Sequence, residues 1–450
     1  MRRWLLLCLL AVAPASPAFD ARAEIERAVA LVESGATALA RTCIEPALVA
    51  PNLSPKARAR AYYVRGYSFQ ADGLPVSAAA DYHRALEYDP ENAVVMSALA
   101  QLHIETAPGR GLGPDRLPGV AFALLERAAE DDVPDARLQL GYLYLMGIGV
   151  DADLAAARRW FEAAAATGSA SAMMQLARTW RPPHTEPSDG ARALDWLTRA
   201  AAAGAPDAMA SAGFMAENGE LGAPDPKRAR AYFEQAAAAG SALGQTKLAH
   251  VLLSEDAPDP ARAFDLFKAA ADQDFGPGYA GLAYLYEAGI GVAPDADRAA
   301  YWLERAANAG EVDAQLALAA RALTRSGGRA EATRWLAAAA LAGDSRGMND
   351  YAWLLATHPD PAARDGRRAV LLAQRALALT RSSTVLDTLA AAHAETGAFA
   401  TAVTTQEAAI AMARKEPMSD SARARLLVEL ESHLTAFRSG RPWRETGGYG

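Results

Sequence analysis

From Ala136 to Gly168 the chain reads ARLQLGYLYLMGIGVDADLAAARRWFEAAAATG, an apolar pattern at helical spacing, a glycine-containing break, and a second helical pattern that ends on glycine. With Trp160 as the reference, the arrangement returns at Trp196, Tyr232, Leu266, Trp302 and Trp335, at steps of 36, 36, 34, 36 and 33 residues. Three positions before the reference every copy has alanine, from Ala157 to Ala332, and four and five positions after it an alanine pair, from Ala164–Ala165 to Ala339–Ala340. Eight positions after it stand Gly168, Gly204, Gly240, Asp274, Gly310 and Gly343. A fixed period in this range predicts stacked helix pairs, each burying its neighbour's face.

Each recurring position has a physical reason. Asp153, Asp189, Asp225, Asp259 and Asp295, seven positions before the reference, are placed to accept the orphan N–H groups that open a second helix. Pro226 and Pro260 follow two of them, where a missing N–H costs nothing. The alanines let helices approach closely, the reference aromatic is expected to fill the hole between pairs, and the glycine supplies the left-handed residue that stops the helix. Gly147-Ile148-Gly149-Val150 recurs as Gly289-Ile290-Gly291-Val292, a short loop whose two glycines let the backbone turn.

The combination of Leu140-Gly141, Tyr144, the Gly147–Val150 loop, Asp153, Ala157, Trp160, Ala164–Ala165 and Gly168 resembles the Sel1-like repeat, a relative of the tetratricopeptide repeat. The resemblance runs from Asp135 to about Asp344 in six copies. The second copy replaces the glycine loop with Arg181-Pro182-Pro183-His184-Thr185-Glu186-Pro187, and the fourth and sixth shorten it. Upstream, Gly66, Phe69, Ala78, Tyr82, Ala85 and Pro90 fall where a tetratricopeptide unit has them, and residues 349–413 resemble a C-terminal tetratricopeptide pair. The resemblance implies an all-α fold: a right-handed α/α superhelical solenoid of about ten tetratricopeptide and Sel1-like helix pairs.

The expected organisation is a signal peptide over 1–18, N-terminal tetratricopeptide-like pairs over 19–131, Sel1-like repeats over 132–344, a tetratricopeptide-like pair over 345–415, and a capping helix with a flexible tail over 416–450. In the last part Leu426, Leu427, Leu430 and Leu434 share one helix side, and residues 440–445 end the helix. Arg2-Arg3, the apolar run Trp4–Val12 and Ser16-Pro17-Ala18 have the form of a cleavable secretory signal, and nine apolar residues are too few to span a bilayer. The expected location is therefore periplasmic or secreted. Removal of that segment leaves Cys43 as the one thiol, so no intrachain disulfide is expected.

The chain is 51% apolar, and its formal charge of −8 argues against nucleic acid as a partner and leaves membrane contact to partners. The seven histidines show no metal-binding spacing, the Gly109–Gly113 stretch lacks the Lys-Ser/Thr of a phosphate loop, and no serine sits in a nucleophile motif. Neither metal, cofactor nor catalysis is expected. In tetratricopeptide relatives the residue after the small residue of the first helix faces the concave groove; here it is Tyr67, Tyr142, Arg178, Phe214, His250, Tyr284, Ala320 and Trp353. Tyr67, Tyr142, Arg178, Phe214, Tyr284 and Trp353 are thus candidate partner-binding residues, set against packing onto the next repeat. The irregular loops 108–118 and 181–187 are further surface candidates. The expected function is a monomeric, non-catalytic scaffold for protein or peptide partners in the bacterial envelope. The alternative is a protein that binds or hydrolyses cell wall or polysaccharide.

Overall fold

The computed structural model describes residues 20–105, 117–131, 133–185 and 189–445. The expected signal segment, the loop candidate 108–118 and the tail 446–450 lie outside or largely outside them. Two units make up the chain, residues 1–208 with 218–224 and residues 209–217 with 225–450. Among the described residues every regular element is helical.

The first unit holds α1 (Ala21–Glu33), α2 (Thr37–Leu48), α3 (Pro55–Ala71), α4 (Pro75–Tyr88), α5 (Ala93–Glu105), α6 (Leu117–Glu130), α7 (Pro134–Met146), α8 (Leu154–Ala165), α9 (Ala170–Thr179) and α10 (Gly190–Ala202). The second is built from α11 (Asp207–Glu217), α12 (Pro226–Ala238), α13 (Ala242–Ser254), α14 (Pro260–Ala271), α15 (Gly276–Ala288), α16 (Ala296–Asn308), α17 (Val312–Leu323) and α18 (Arg329–Leu341). It continues through α19 (Ser345–Thr357), α20 (Gly366–Leu379), α21 (Ser383–Glu395), α22 (Phe399–Ala413) and α23 (Asp420–Arg438). Odd-numbered helices up to α21 open a pair and even-numbered helices close it. The region 349–413, expected as a tetratricopeptide pair, holds two helix pairs: α19 with α20, and α21 with α22.

The local signals act as their chemistry demands. Asp153, Asp189, Asp225, Asp259 and Asp295 each cap a second helix, accepting from the backbone N–H three residues on. Gly168, Gly204, Gly240, Gly310 and Gly343 adopt φ between 87° and 97°, and Asp274 substitutes at φ 56°. The alanine pairs are small because the following first helix lies directly on them. A methyl group added at Gly244, Gly278 or Gly347 would stand 2.4, 2.9 or 2.5 Å from the Cβ of Ala236, Ala270 or Ala339.

One expectation is corrected. The residue that plugs the space beside each second helix is not the reference aromatic but the one after it: Phe161, Leu197, Phe233, Phe267, Leu303 and Leu336 are buried. One step along a helix turns a side chain by about 100°, which puts this residue on the line through the buried alanines. Trp160, Trp196, Tyr232, Leu266 and Trp302 are half-buried beside it, and Trp335 alone of the six is buried. Phe161 packs among Ala157, Ala164, Ala172 and Leu176, joining α8 to α9. The upstream repeat uses the same device, with the buried Tyr82 ring beneath Gly66.

Candidate functional site

Beyond helices adjacent in sequence, the main contacts run between first helices. They join α1 to α3, α3 to α5 and α5 to α7 in one unit, and α13 to α15 and α19 to α21 in the other, where α21 also meets α23. At these steps first helices lie closer together than second helices do, which places them on the inner side of the local curve.

The candidate residues fall on these helices, with different surroundings. In the first unit, Tyr67 is 47% exposed and Tyr142 38% exposed. The Tyr67 ring lies 6.4 Å from that of Tyr63. Burial, with Tyr67 and Asp135 nearby, raises the Tyr63 hydroxyl above its ordinary pKa. Arg178 is exposed; after burial, its charge and that of Arg158 help hold the His184 ring below its ordinary pKa. In the second unit, Tyr284 is 54% exposed. Phe214 is half-buried, edge-on to Phe233 at 5.7 Å and covered by the Lys247 ammonium at 4.5 Å. His250 meets Phe267 edge-on at 5.1 Å, and burial, then Lys247, lowers its pKa. Ala320 is exposed and lines a cavity of about 350 Å³ walled by Leu316, Leu323, Leu336 and Leu354. Asp350 also lines it, and burial raises its carboxyl above the usual carboxylate range. Trp353 is half-buried, 5.4 Å from the His433 ring.

The ring contacts of Tyr67, Phe214 and Trp353 are thus with Tyr63, Phe233 and His433, not with other members of the candidate set. Of the irregular loop 181–187, residues 181–185 are described. Arg181 pairs with both Glu220 oxygens at 2.6 and 2.7 Å. Arg158 lies 3.5 Å over the Trp180 ring and donates to the Thr179 carbonyl.

The one thiol among the described residues is engaged. Cys43 Sγ stands 2.8 Å from Glu24 Oε2, and burial together with that carboxylate raises the thiol's pKa, the opposite of an activated nucleophile. Among the described residues no cluster of three His, Cys, Asp or Glu could hold a metal ion, and no helix is long and apolar enough to cross a membrane.

A feature outside the periodic pattern lies on α19 and α21. Residues 441–445 do not simply end α23 but turn back across these helices as a strap. Trp443 packs against His433 with ring centres 4.4 Å apart. Arg444 pairs with Glu395 at 2.6 Å and donates to the Ala356 carbonyl at 3.3 Å. The Glu445 N–H donates to the Thr357 carbonyl at 3.0 Å, and Arg329 donates to the Glu445 carbonyl at 3.4 Å. Glu395 also accepts from Arg364 at 2.8 Å. Beneath the strap, Asp387 Oδ1 stands 2.8 Å from His433 Nδ1 and accepts from Gln406 at 2.6 Å, all three buried.

A profile described as Sel1 repeat matches residues 107–133, 134–169, 170–204, 206–241, 242–275 and 277–311. No curated protein matches the chain. Among solved structures, the chain is similar to a Sel1 repeat protein from Oxalobacter formigenes at 27% identity. That match covers 54% of this chain and 98% of the other, with a TM-score of 0.44. It is also similar to a protective antigen of uropathogenic Escherichia coli with an SLR fold, at 21% identity, 94% and 92% coverage, and a TM-score of 0.43.

Proposed function

The chain is a Sel1-repeat protein, and such repeats generally act as protein-interaction scaffolds; from that premise we propose that it is a non-catalytic adaptor of the bacterial envelope, exported by its N-terminal segment, that holds a peptide or helix of a partner protein on the inner side of its first helices. The observation that carries this reading is the exposure of Tyr142 in one unit and Tyr284 in the other, at the same register of their first helices, each directly after a small buried residue, Gly141 or Ala283. A tyrosine left open on an inner face offers a large, stiff contact area with a polar tip, and ordering it costs little entropy. The formal charge of −8 supports a protein partner over nucleic acid.

The test places a photo-crosslinking amino acid at Tyr142, at Tyr284 and, as a control on a second helix, at Leu371. A defined partner captured from the first two positions and not the third is expected. Tyr142→Ala and Tyr284→Ala should each change stability by less than about 0.5 kcal/mol, as for surface positions, and each weaken partner binding about tenfold. A large fall in melting temperature, with binding per folded molecule intact, would reject the inner face. For the location, cell fractionation and N-terminal sequencing should find a mature chain in the periplasm or medium that begins near Phe19. A full-length chain in the cytoplasm would reject export.

A further inference from the structure

We propose that the C-terminal ends of α19 and α21, with His433 of α23 beside them, form a peptide-recognition site that the chain fills with its own residues 441–445. Its partner is an extended protein segment presenting an aromatic residue followed by arginine, which binds by displacing the strap. The inference rests on reading the chain as a partner-binding scaffold. The bound strap displays the chemistry that recognises such a segment.

Two of the strap's contacts are to its main chain, from the Thr357 carbonyl and the Arg329 guanidinium, and any extended segment can make them. The other two select side chains. The His433 ring takes an aromatic group, and the Glu395 carboxylate with the Ala356 carbonyl takes a guanidinium. Both selecting groups are held in place independently of the strap. Asp387 fixes the His433 ring from below, and Arg364 pairs with the other oxygen of Glu395. Withdrawal of Arg444 therefore leaves Glu395 held by Arg364 through Oε1, with Oε2 free to take another guanidinium. Tethering holds the strap at an effective concentration in the millimolar range, so weak or mismatched segments are excluded.

The probe is a labelled synthetic peptide with the sequence of residues 439–445, SGRPWRE, titrated into the full chain and into its Trp443→Ala/Arg444→Ala variant. Saturable binding to the variant, at least about tenfold tighter than to the parent because the site is no longer self-occupied, is expected. A peptide with alanine at both positions should not bind, and Glu395→Gln in the variant should weaken binding about tenfold. A folded variant that does not bind the peptide, or equal binding to variant and parent, overturns the proposal. If the variant does not fold, a protease site between Gly440 and Arg441 is cut after folding. Release of the strap on dilution with helix content retained, reversed by added peptide, supports the site. Loss of helix on release makes the strap a structural seal and overturns it. Peptide binding in trans without crosslinking at Tyr142 or Tyr284 would leave this site standing while the broader scaffold reading fails. The reverse pattern would remove this site alone.

Discussion

A methyl group added at Gly213 would stand 2.4 Å from the Phe233 ring, and one at Gly141 2.5 Å from Phe161. These contacts lie at the crossing of the two helices of a pair, where the buried plug meets the first helix. Gly213→Ala should therefore destabilise the protein by about 1–3 kcal/mol, the usual cost of overpacking a filled core, measured by urea unfolding. The first helix's glycine was legible in the sequence as a recurring small residue. Its partner was not, because a conspicuous tryptophan one position away drew the assignment, and only the packing distinguishes neighbours about 100° apart on a helix. Asp350 belongs to the same scale. Asp350 is open to solvent at one side, yet the helices packed around it raise its carboxyl above the usual range, so it binds its proton more tightly folded than unfolded and its contribution to stability falls as pH rises from 3.8 through its folded pKa. Asp350→Asn should slightly raise the melting temperature at pH 7, and the gain should vanish as pH falls below 3.8, where the carboxyl is protonated in both states.

Helices here are specified locally and almost without exception. The capping aspartates, the stop glycines and the two matched glycine loops can be read from spacing alone because each acts within a few residues of itself. The last elements are different. Asp387 on α21, Gln406 on α22 and His433 on α23 form a buried hydrogen-bonded set, and no repeat position marks it. Asp387→Ala removes the acceptor that Gln406 and His433 share and leaves both ring and amide with a broken set. It should cost about 2–3 kcal/mol, more than a surface cap, as seen by thermal unfolding. The strap was read as a helix stop for the same reason: its partners Glu395, Ala356 and Thr357 lie tens of residues away.

Across the whole chain, three histidines share one electrostatic condition. Burial lowers the pKa of His184, His250 and His393 below 6.5, with Arg178 and Arg158 adding to it at the first and Lys247 at the second. Below that value the unfolded chain takes up protons that the folded chain resists, so stability is full above about pH 6.5 and is lost as pH falls from there toward the folded pKa values. Melting temperature should drop between pH 7.5 and 5.5, before most carboxylates titrate. Replacing all three histidines with glutamine should flatten that drop; an unchanged profile would show that other groups set it. The repeat architecture makes such local terms count separately, since each pair is stabilised chiefly by its neighbours.

The sequence by itself determined the all-α repeat architecture, the period, and the caps and stops. All of these follow from interactions within one repeat or between adjacent ones, and recur often enough to be seen. Tertiary structure alone decided which neighbour of the tryptophan plugs the core, and how the candidate residues divide between open tyrosines and the covered Phe214 and Trp353. It also decided that residues 441–445 fold back onto α19 and α21. These depend on contacts between residues far apart in the chain, which periodicity does not encode.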